Sequence, residues 1–170
     1  LTKPIGTGVI MAGQMQLVAK AVWVDAAIAQ MAKSNMITAQ KFAEKGAIGA
    51  TDITGFGLAR HAQNLSFRVG ARGCMIDLAA LPVLDGALTL ISSGIRSSLH
   101  DQNRAAVVLN SRQIDHAAAR YFAAHIETLF DPQTSGGLLG VFRLDAATRL
   151  IDELRGDGIA AAVIGRLECS

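Results

Sequence analysis

The sequence passes from strand to helix within the stretch Ala50-Thr51-Asp52-Ile53-Thr54-Gly55-Phe56-Gly57-Leu58. Residues 47–53 are largely apolar and β-branched, which is typical of a strand. Thr54 is a candidate N-cap for a helix that begins near Gly55, and in that helix Leu58, Ala62 and Leu65 share one face. A strand that leads directly into an amphipathic helix favours an α/β domain with helices packed on a sheet.

The same stretch has residues suited to a phosphate or metal site. Its two glycines let the backbone approach a bulky ligand closely, and the free N–H groups at a helix start attract anions. Asp52 lies just before that start, where a carboxylate would repel phosphate unless a divalent cation lay between them. Mg²⁺ favours one or two carboxylates together with phosphate oxygens. An ordinary cap beside a glycine turn explains the same residues, and on spacing alone it is the more common case.

Two other polar stretches are candidates for function. Asp131-Pro132-Gln133-Thr134-Ser135-Gly136-Gly137 precedes an apolar run that predicts a buried strand at 138–142. It lacks the Lys-Ser/Thr ending of a Walker A loop, so a rigid structural turn is favoured. The polar segment 94–113 contains Arg96 and His100 and is interpreted mostly as a solvated loop. A Ser–His–Asp hydrolase is not supported there, because the Gly-x-Ser-x-Gly elbow is missing.

Periodicity predicts the remaining elements and one domain over residues 1–170. The opening 1–11 is rich in glycine and β-branched residues and is predicted as an extended strand with turns at Gly6 and Gly8. The fold class is predicted as α/β (α+β), a three-layer α/β/α unit with a mixed sheet. Further helices are predicted at 22–33, with Val24, Ile28 and Met31 on one face, at 37–45 ending before Gly46, at 84–91, and after a cap at Asp145. Strands are predicted at 74–78 and 159–167. The stretch 121–130 is predicted to be either helix or strand.

Composition excludes several classes of protein. Apolar residues make up 51% and charged residues 18% of the chain, which is typical of a globular domain. No apolar run is long enough to span a membrane. The net charge of +2 comes from scattered basic residues, which gives no support for nucleic-acid binding. The two cysteines, Cys74 and Cys169, lack metal-ligand spacing and fit a reducing, cytoplasmic location.

Three stretches in series resemble the signatures of the selenophosphate synthetases. They are Leu1-Thr2-Lys3-Pro4-Ile5-Gly6-Thr7-Gly8, the stretch around Asp52, and Asp131 to Leu139. The resemblance covers nearly the whole chain and implies the C-terminal domain of the AIR-synthase-related superfamily. It implies a parent enzyme that uses Mg²⁺ to convert selenide, ATP and water into selenophosphate, AMP and phosphate. It also implies partnership with the parent's own N-terminal domain, which binds most of the ATP, and a homodimeric intact enzyme.

The resemblance assigns roles to individual residues. It makes Asp52 a Mg²⁺ ligand and places Thr51, Thr54, Gly55 and Gly57 in the phosphate-facing loop. The reactive Cys or selenocysteine, its partner Lys and the other metal-binding aspartates belong to the N-terminal domain of the family. This chain therefore contains no catalytic residue of its own, and we expect it to be inactive by itself. Two alternatives stay open: another ATP-dependent member of the superfamily, such as a hydrogenase maturation factor, or a non-catalytic dimerisation or docking module.

Overall fold

The computed structural model describes residues 1–108 and 120–168 of the chain. His116, Cys169 and residues 109–113 of the predicted loop lie outside these ranges. The helices are α1 (Thr7–Met15), α2 (Ala21–Ala32), α3 (Met36–Glu44), α4 (Gly57–Arg68), α5 (Ala87–Ser92), α6 (His100–Ala105), α7 (Ala123–Thr128) and α8 (Leu144–Gly156). The strands are β1 (Gly49–Asp52), β2 (Gly73–Ile76), β3 (Leu138–Val141) and β4 (Gly165–Glu168), and a 3-10 turn covers Leu78–Ala80.

The strands form two antiparallel pairs. β1 pairs with β3, so that Asp52 lies opposite Leu138, and β2 pairs with β4. Within residues 1–108 and 120–168 neither pair has a third strand. Thr2 donates its N–H to Leu138 O at 3.2 Å, and Leu1 bonds to Ala162, so the first two residues lie between the pairs. The α/β class is confirmed, but the predicted mixed sheet is divided into two antiparallel halves here.

The helices bury their apolar faces in three clusters. α4 packs on both β1 and β2, and its predicted face of Leu58, Ala62 and Leu65 lies in the main cluster. A second cluster joins α1, α2 and α5, and a third joins Phe42 of α3 to Leu150 and Leu154 of α8. In the part of the chain that the structure describes, none of the helices combines the length and apolar character needed to cross a membrane.

The opening segment differs from its prediction. Residues 1–11 do not form one extended strand: Ile5 makes a single parallel bridge to Val83, and α1 begins at Thr7. The cause is a long-range one, since the N–H groups of Gly6 and Thr7 donate to the side chain of Gln133. A local pattern of glycine and β-branched residues cannot show that a distant loop supplies the acceptors for a helix start.

Three smaller predictions are corrected, and the open choice of helix or strand at 121–130 is resolved. The segment 94–113 contains the helix α6, whose Asn103 is buried, so it is not simply a solvated loop. The ambiguous 121–130 stretch contains the helix α7. Asp145 does not cap α8, because the N-cap is Arg143; Asp145 lies in the first turn and pairs with Arg149 at 3.1 Å. Ile28 is exposed, since α2 turns Val24 and Ala27 inward instead.

Candidate functional site

Two of the predicted functional stretches are in direct contact. We call 51–57 the Asp52 turn and 131–137 the Asp131 loop. Ile53 donates its N–H to Gly137 O at 2.9 Å, and Gln133 donates its N–H to Thr54 O at 3.0 Å. A Cβ on Gly136 would lie 2.3 Å from Ile53 O, so only glycine allows this close approach. The Asp131 loop therefore lies directly against the Asp52 turn.

The third stretch, residues 1–8, also meets the Asp131 loop. Gln133 Oε1 accepts hydrogen bonds from Gly6 N–H at 3.0 Å, Thr7 N–H at 3.2 Å and Thr7 Oγ1 at 3.1 Å. Asp131 Oδ2 accepts a hydrogen bond from Gly8 N–H at 3.0 Å. These acceptors satisfy donors in the first turn of α1, where negative charge is favourable. The Asp131 loop thus caps α1 across more than a hundred residues of chain, which is a structural role.

Asp131 is fully buried at this junction. Gln133 Nε2 donates to Asp131 Oδ2 at 2.9 Å. Burial raises the pKa of the Asp131 carboxyl to about 7, although hydrogen bonds from Val9, Gln133 and Gly8 and the charge of Arg96 act to lower it. The carboxyl therefore titrates near neutral pH while it forms part of the internal framework.

Asp52 lies in the opposite environment. It is the last residue of β1 and is exposed to solvent. Thr51 Oγ1 donates to Asp52 O at 3.2 Å, so Thr51 braces the backbone beside the carboxylate. The Asp52 charge also acts on His61, where it opposes the effect of burial, which lowers the pKa of the His61 ring. An exposed carboxylate on a braced backbone can bind a cation that approaches from solvent.

The backbone that follows Asp52 is held by side chains from two helices. Thr54 donates its N–H to His61 Nε2 at 3.1 Å, and Thr54 Oγ1 lies 3.0 Å from the same nitrogen. The lowered pKa of His61 favours the neutral ring, which is the form that can accept these bonds. Asn103 Nδ2 donates to Gly55 O at 2.8 Å and to Phe130 O at 3.0 Å. The Asp52 turn is thus fixed from α4 and from α6.

The start of α4 differs from its prediction. The helix begins at Gly57, not near Gly55, and Thr54 is not its N-cap. Gly57 has a φ of +75°, and a Cβ there would lie 2.8 Å from Leu129 O. Gly57 N–H donates to Thr54 O at 3.1 Å, and Thr54 N–H is taken by His61. Two of the amides expected to face phosphate are therefore used inside the fold.

The residues that hold the turn were not singled out from the sequence. Sequence alone does not distinguish His61 from an ordinary helix-surface or core histidine, and Asn103 falls within the segment predicted mostly as a solvated loop. The one available signal was the position of His61 in the second turn of an amphipathic helix that follows the motif. Their partners depend on how α4 and α6 pack, so spacing alone did not identify them.

The arrangement offers one metal ligand. Among residues 1–108 and 120–168 there is no group of three or more His, Cys, Asp and Glu side chains that could hold a metal ion. A single carboxylate fits Mg²⁺ only as one contributor, because this ion keeps several waters and takes phosphate oxygens as further ligands. The remaining ligands would have to come from a nucleotide or from another polypeptide segment.

The histidine of the third polar stretch has structural partners. His100 is buried, with Nε2 lying 3.1 Å from Glu127 Oε2 and Nδ1 lying 3.2 Å from Asp101 Oδ1. Arg104 Nε lies 3.4 Å from Glu127 Oε1. In the described ranges no serine hydroxyl is hydrogen-bonded to a histidine.

The chain is similar to one protein family and to several curated relatives. The chain matches the family described as "AIR synthase related protein, C-terminal domain" over residues 1–169. It is 38% identical over 170 residues to a selenide, water dikinase of Porphyromonas gingivalis, covering 97% of this chain and 46% of the relative. It is 32% identical to the selenide, water dikinase of Geobacter sp. strain M21, covering 99% of this chain and 47% of the relative. It is 35% identical to the selenide, water dikinase of Shewanella sp. strain MR-4, covering 99% of this chain and 46% of the relative. The chain spans about half the length of the curated relatives it matches.

Proposed function

Because this chain belongs to the AIR synthase related protein family, as its C-terminal domain, we propose that it is the C-terminal domain of a selenide, water dikinase. The parent would make selenophosphate from selenide, ATP and water, with release of AMP and phosphate. Relatives bearing that name are 31–38% identical to nearly the whole chain, which supports this activity over that of other superfamily members. The observation that carries the proposal is the exposed carboxylate of Asp52 on a rigidly held turn.

We assign to Asp52 the role of a Mg²⁺ ligand at the phosphates of ATP. When bound, Mg²⁺ neutralises charge on the phosphate oxygens. Thr51, Thr54, Gly55 and Gly57 shape the loop beside these phosphates. Because the amides of Thr54 and Gly57 are already hydrogen-bonded within the turn, these two residues act by fixing the backbone rather than by donating to phosphate.

The rigidity of the Asp52 turn is what makes a single carboxylate useful. A ligand whose position is set before binding loses little conformational freedom when the site forms. His61, Asn103 and the Asp131 loop supply that rigidity from three directions. We infer that a preceding ATP-binding domain brings the nucleotide to this preformed carboxylate, and that closure of the two domains completes the site. The intact enzyme is proposed to be a cytoplasmic homodimer.

The isolated chain is expected to be inactive. One carboxylate holds Mg²⁺ weakly because the ion is reluctant to lose its waters, and the chain carries none of the family's reactive groups. Purified chain should therefore release no AMP from ATP in the presence of selenide. ATP- and selenide-dependent AMP release by this chain alone would contradict the proposal that activity requires both domains.

The decisive experiment is Asp52→Asn in the full-length parent. The amide keeps the size of the side chain but removes the charge that attracts Mg²⁺, so selenide-dependent AMP release should fall by at least about 100-fold, on the order of 3 kcal/mol in activation free energy. Asp145→Asn, which changes an exposed carboxylate on α8, is the matched control and should keep full activity. The melting temperature should stay unchanged in both variants, and near-normal turnover of Asp52→Asn would refute the assignment.

A further inference from the structure

A small polar cavity of about 30 Å³ lies between the opening segment and the turn that joins α2 to α3. Polar residues supply most of its lining, among them Lys3, Gln30, Lys33, Ser34, Asn35 and Thr38. Of the residues that the structure describes, no aspartate or glutamate lines it. A cavity needs about 10–15 Å³ to admit a water molecule. This one therefore has room for a small ion but not for an organic ligand.

Lys3 places a buried cation beside this cavity. It is 4% exposed, and its Nζ donates to Lys33 O at 2.7 Å and to Ser135 O at 2.9 Å. An ammonium has three N–H donors, so one is left after these two carbonyls. Burial lowers the pKa of the Lys3 ammonium, and the nearby charge of Lys33 lowers it further. Two neighbouring positive charges at a cavity without a carboxylate attract an anion.

Thr38 gives a second, independent observation. It is 3% exposed and lines the cavity. Within residues 1–108 and 120–168 its hydroxyl has no hydrogen-bond partner. A buried hydroxyl that makes no hydrogen bond costs free energy. A ligand in the cavity that accepts this hydrogen bond removes that cost.

The start of α3 faces the same cavity. This helix is nine residues long, and the side chain of its N-cap, Asn35, makes no capping hydrogen bond. Asn35 Nδ2 instead donates to a carbonyl of the Asp131 loop at 2.8 Å. Ser34 Oγ accepts the Met36 N–H at 3.1 Å, which leaves the first-turn amides of Ile37 and Thr38 without a side-chain cap. Uncapped amides at a helix N-terminus favour an anion, as do the ammonium and hydroxyl beside them.

We propose that the cavity binds one small inorganic anion, held by Lys3, Lys33 and Thr38 at the start of α3. The anion neutralises the buried ammonium and accepts the hydrogen bond of the Thr38 hydroxyl. Lys3 and Asn35 also donate to carbonyls of the Asp131 loop, so the anion joins the turn between α2 and α3 to the loop that supports the Asp52 turn. The inference makes no assumption about activity and stands apart from the proposed function.

The test follows the backbone amides of the chain by two-dimensional proton–nitrogen NMR while inorganic phosphate is added. A second titration uses chloride. Sodium gluconate, whose anion is too large for the cavity, keeps the ionic strength constant. The amides of Ile37 and Thr38 should shift along a saturable curve with at least one of the two anions. Those of Ala21 and Val22 should not, because the start of α2 also has no side-chain cap but lies outside the cavity.

Two substitutions test the ligands of the anion. Thr38→Val keeps the shape of the side chain but removes the hydroxyl, and should raise the dissociation constant at least about tenfold. Lys33→Gln removes an exposed charge and should raise it about threefold. Because Lys33 is exposed, that variant keeps the test available if Thr38→Val does not fold. Lys45→Gln, the same change at the other end of α3, is the matched control and should bind like the unsubstituted chain.

Two results would overturn the proposal. One is the absence of a saturable shift at Ile37 and Thr38 with both phosphate and chloride, which would mean that the cavity holds only water. The other is an equal dissociation constant for the unsubstituted chain and all the variants, which would mean that the anion binds elsewhere.

Discussion

The Asp52 turn and the Asp131 loop look alike in sequence and differ in almost every physical respect. Each is a short polar segment that has an aspartate and two glycines and lies next to a strand. Asp52 is exposed at the end of β1, whereas Asp131 is completely buried beneath the start of α1. One segment offers a charge to solvent, and the other uses its charge and amide groups to connect distant parts of the chain.

The comparison teaches that folding can place two segments of similar composition in opposite environments. In the Asp131 loop, the side chains of Asp131 and Gln133 accept hydrogen bonds from the start of α1, and the backbone of the loop bonds to the Asp52 turn. We propose that the loop contributes to function indirectly, by holding the neighbouring turn in place. The predictions below test whether this division between a ligand-bearing turn and a supporting loop is real.

The largest expected difference between the two regions is in the pH dependence of the free energy of unfolding, which should come from Asp131 and not from Asp52. Burial raises its pKa from 3.8 to about 7, so between these values the folded state holds a proton that the unfolded chain has lost. The free energy of unfolding contributed by this group is therefore fully present below pH 4 and is lost as the pH rises toward 7. Asp131→Asn should remove on the order of 4 kcal/mol of this pH dependence.

The measurement is urea unfolding of the chain between pH 4 and pH 7.5. The lowered pKa values of Leu1 and His61 act in the opposite direction, since they make stability rise with pH. The informative quantity is therefore the slope of the free energy of unfolding against pH, compared between the unsubstituted chain and Asp131→Asn. Asp52→Asn leaves Asp131 intact and serves as the control. Identical slopes for all three proteins would show that Asp131 does not titrate as its buried position requires.

Replacement of Gln133 should have the next largest effect. Gln133→Ala removes the acceptor of Gly6 N–H and Thr7 N–H, and leaving buried donors unsatisfied costs about 1–3 kcal/mol each. A total loss of about 2–3 kcal/mol in the free energy of unfolding is expected by urea denaturation. Thr134→Ala, at the exposed neighbouring position, should change stability by less than about 0.5 kcal/mol. Similar losses for both variants would mean that the loop does not act through Gln133.

A pair of glycines tests how tightly the Asp52 turn is packed. Gly57 and Gly46 have φ values of +75° and +70°, so alanine at either position carries a similar backbone cost of about 1–2 kcal/mol. A Cβ at Gly57 would also meet Leu129 O at 2.8 Å, whereas nothing lies within 4 Å at Gly46. Gly57→Ala should therefore be about 1 kcal/mol more destabilising than Gly46→Ala in urea unfolding. Equal effects would indicate that the turn is looser than described.

Local patterns predicted the elements that depend on local chemistry. The helix ending before Gly46 and the buried face of α4 follow from periodicity and turn residues, and both are confirmed. The strand predicted at 47–53 is present but shorter, at Gly49–Asp52. The opening strand was wrong because Gln133, 127 residues from Gly6, supplies an acceptor at the helix start. The start of α4 was misplaced by two residues because Gly57 has a φ of +75°, which is not helical, and the Thr54 hydroxyl lies 3.0 Å from His61 Nε2 instead of capping the helix.

The sequence by itself determined where the chain turns, which helix faces are apolar, and the order of three motifs that identifies the family. Only the tertiary structure decided which aspartate is exposed and which is buried, and that three stretches far apart in sequence meet at one loop. The physical reason is that burial and hydrogen-bond partners depend on segments brought together by folding, whereas sequence patterns report only on neighbours within a few residues.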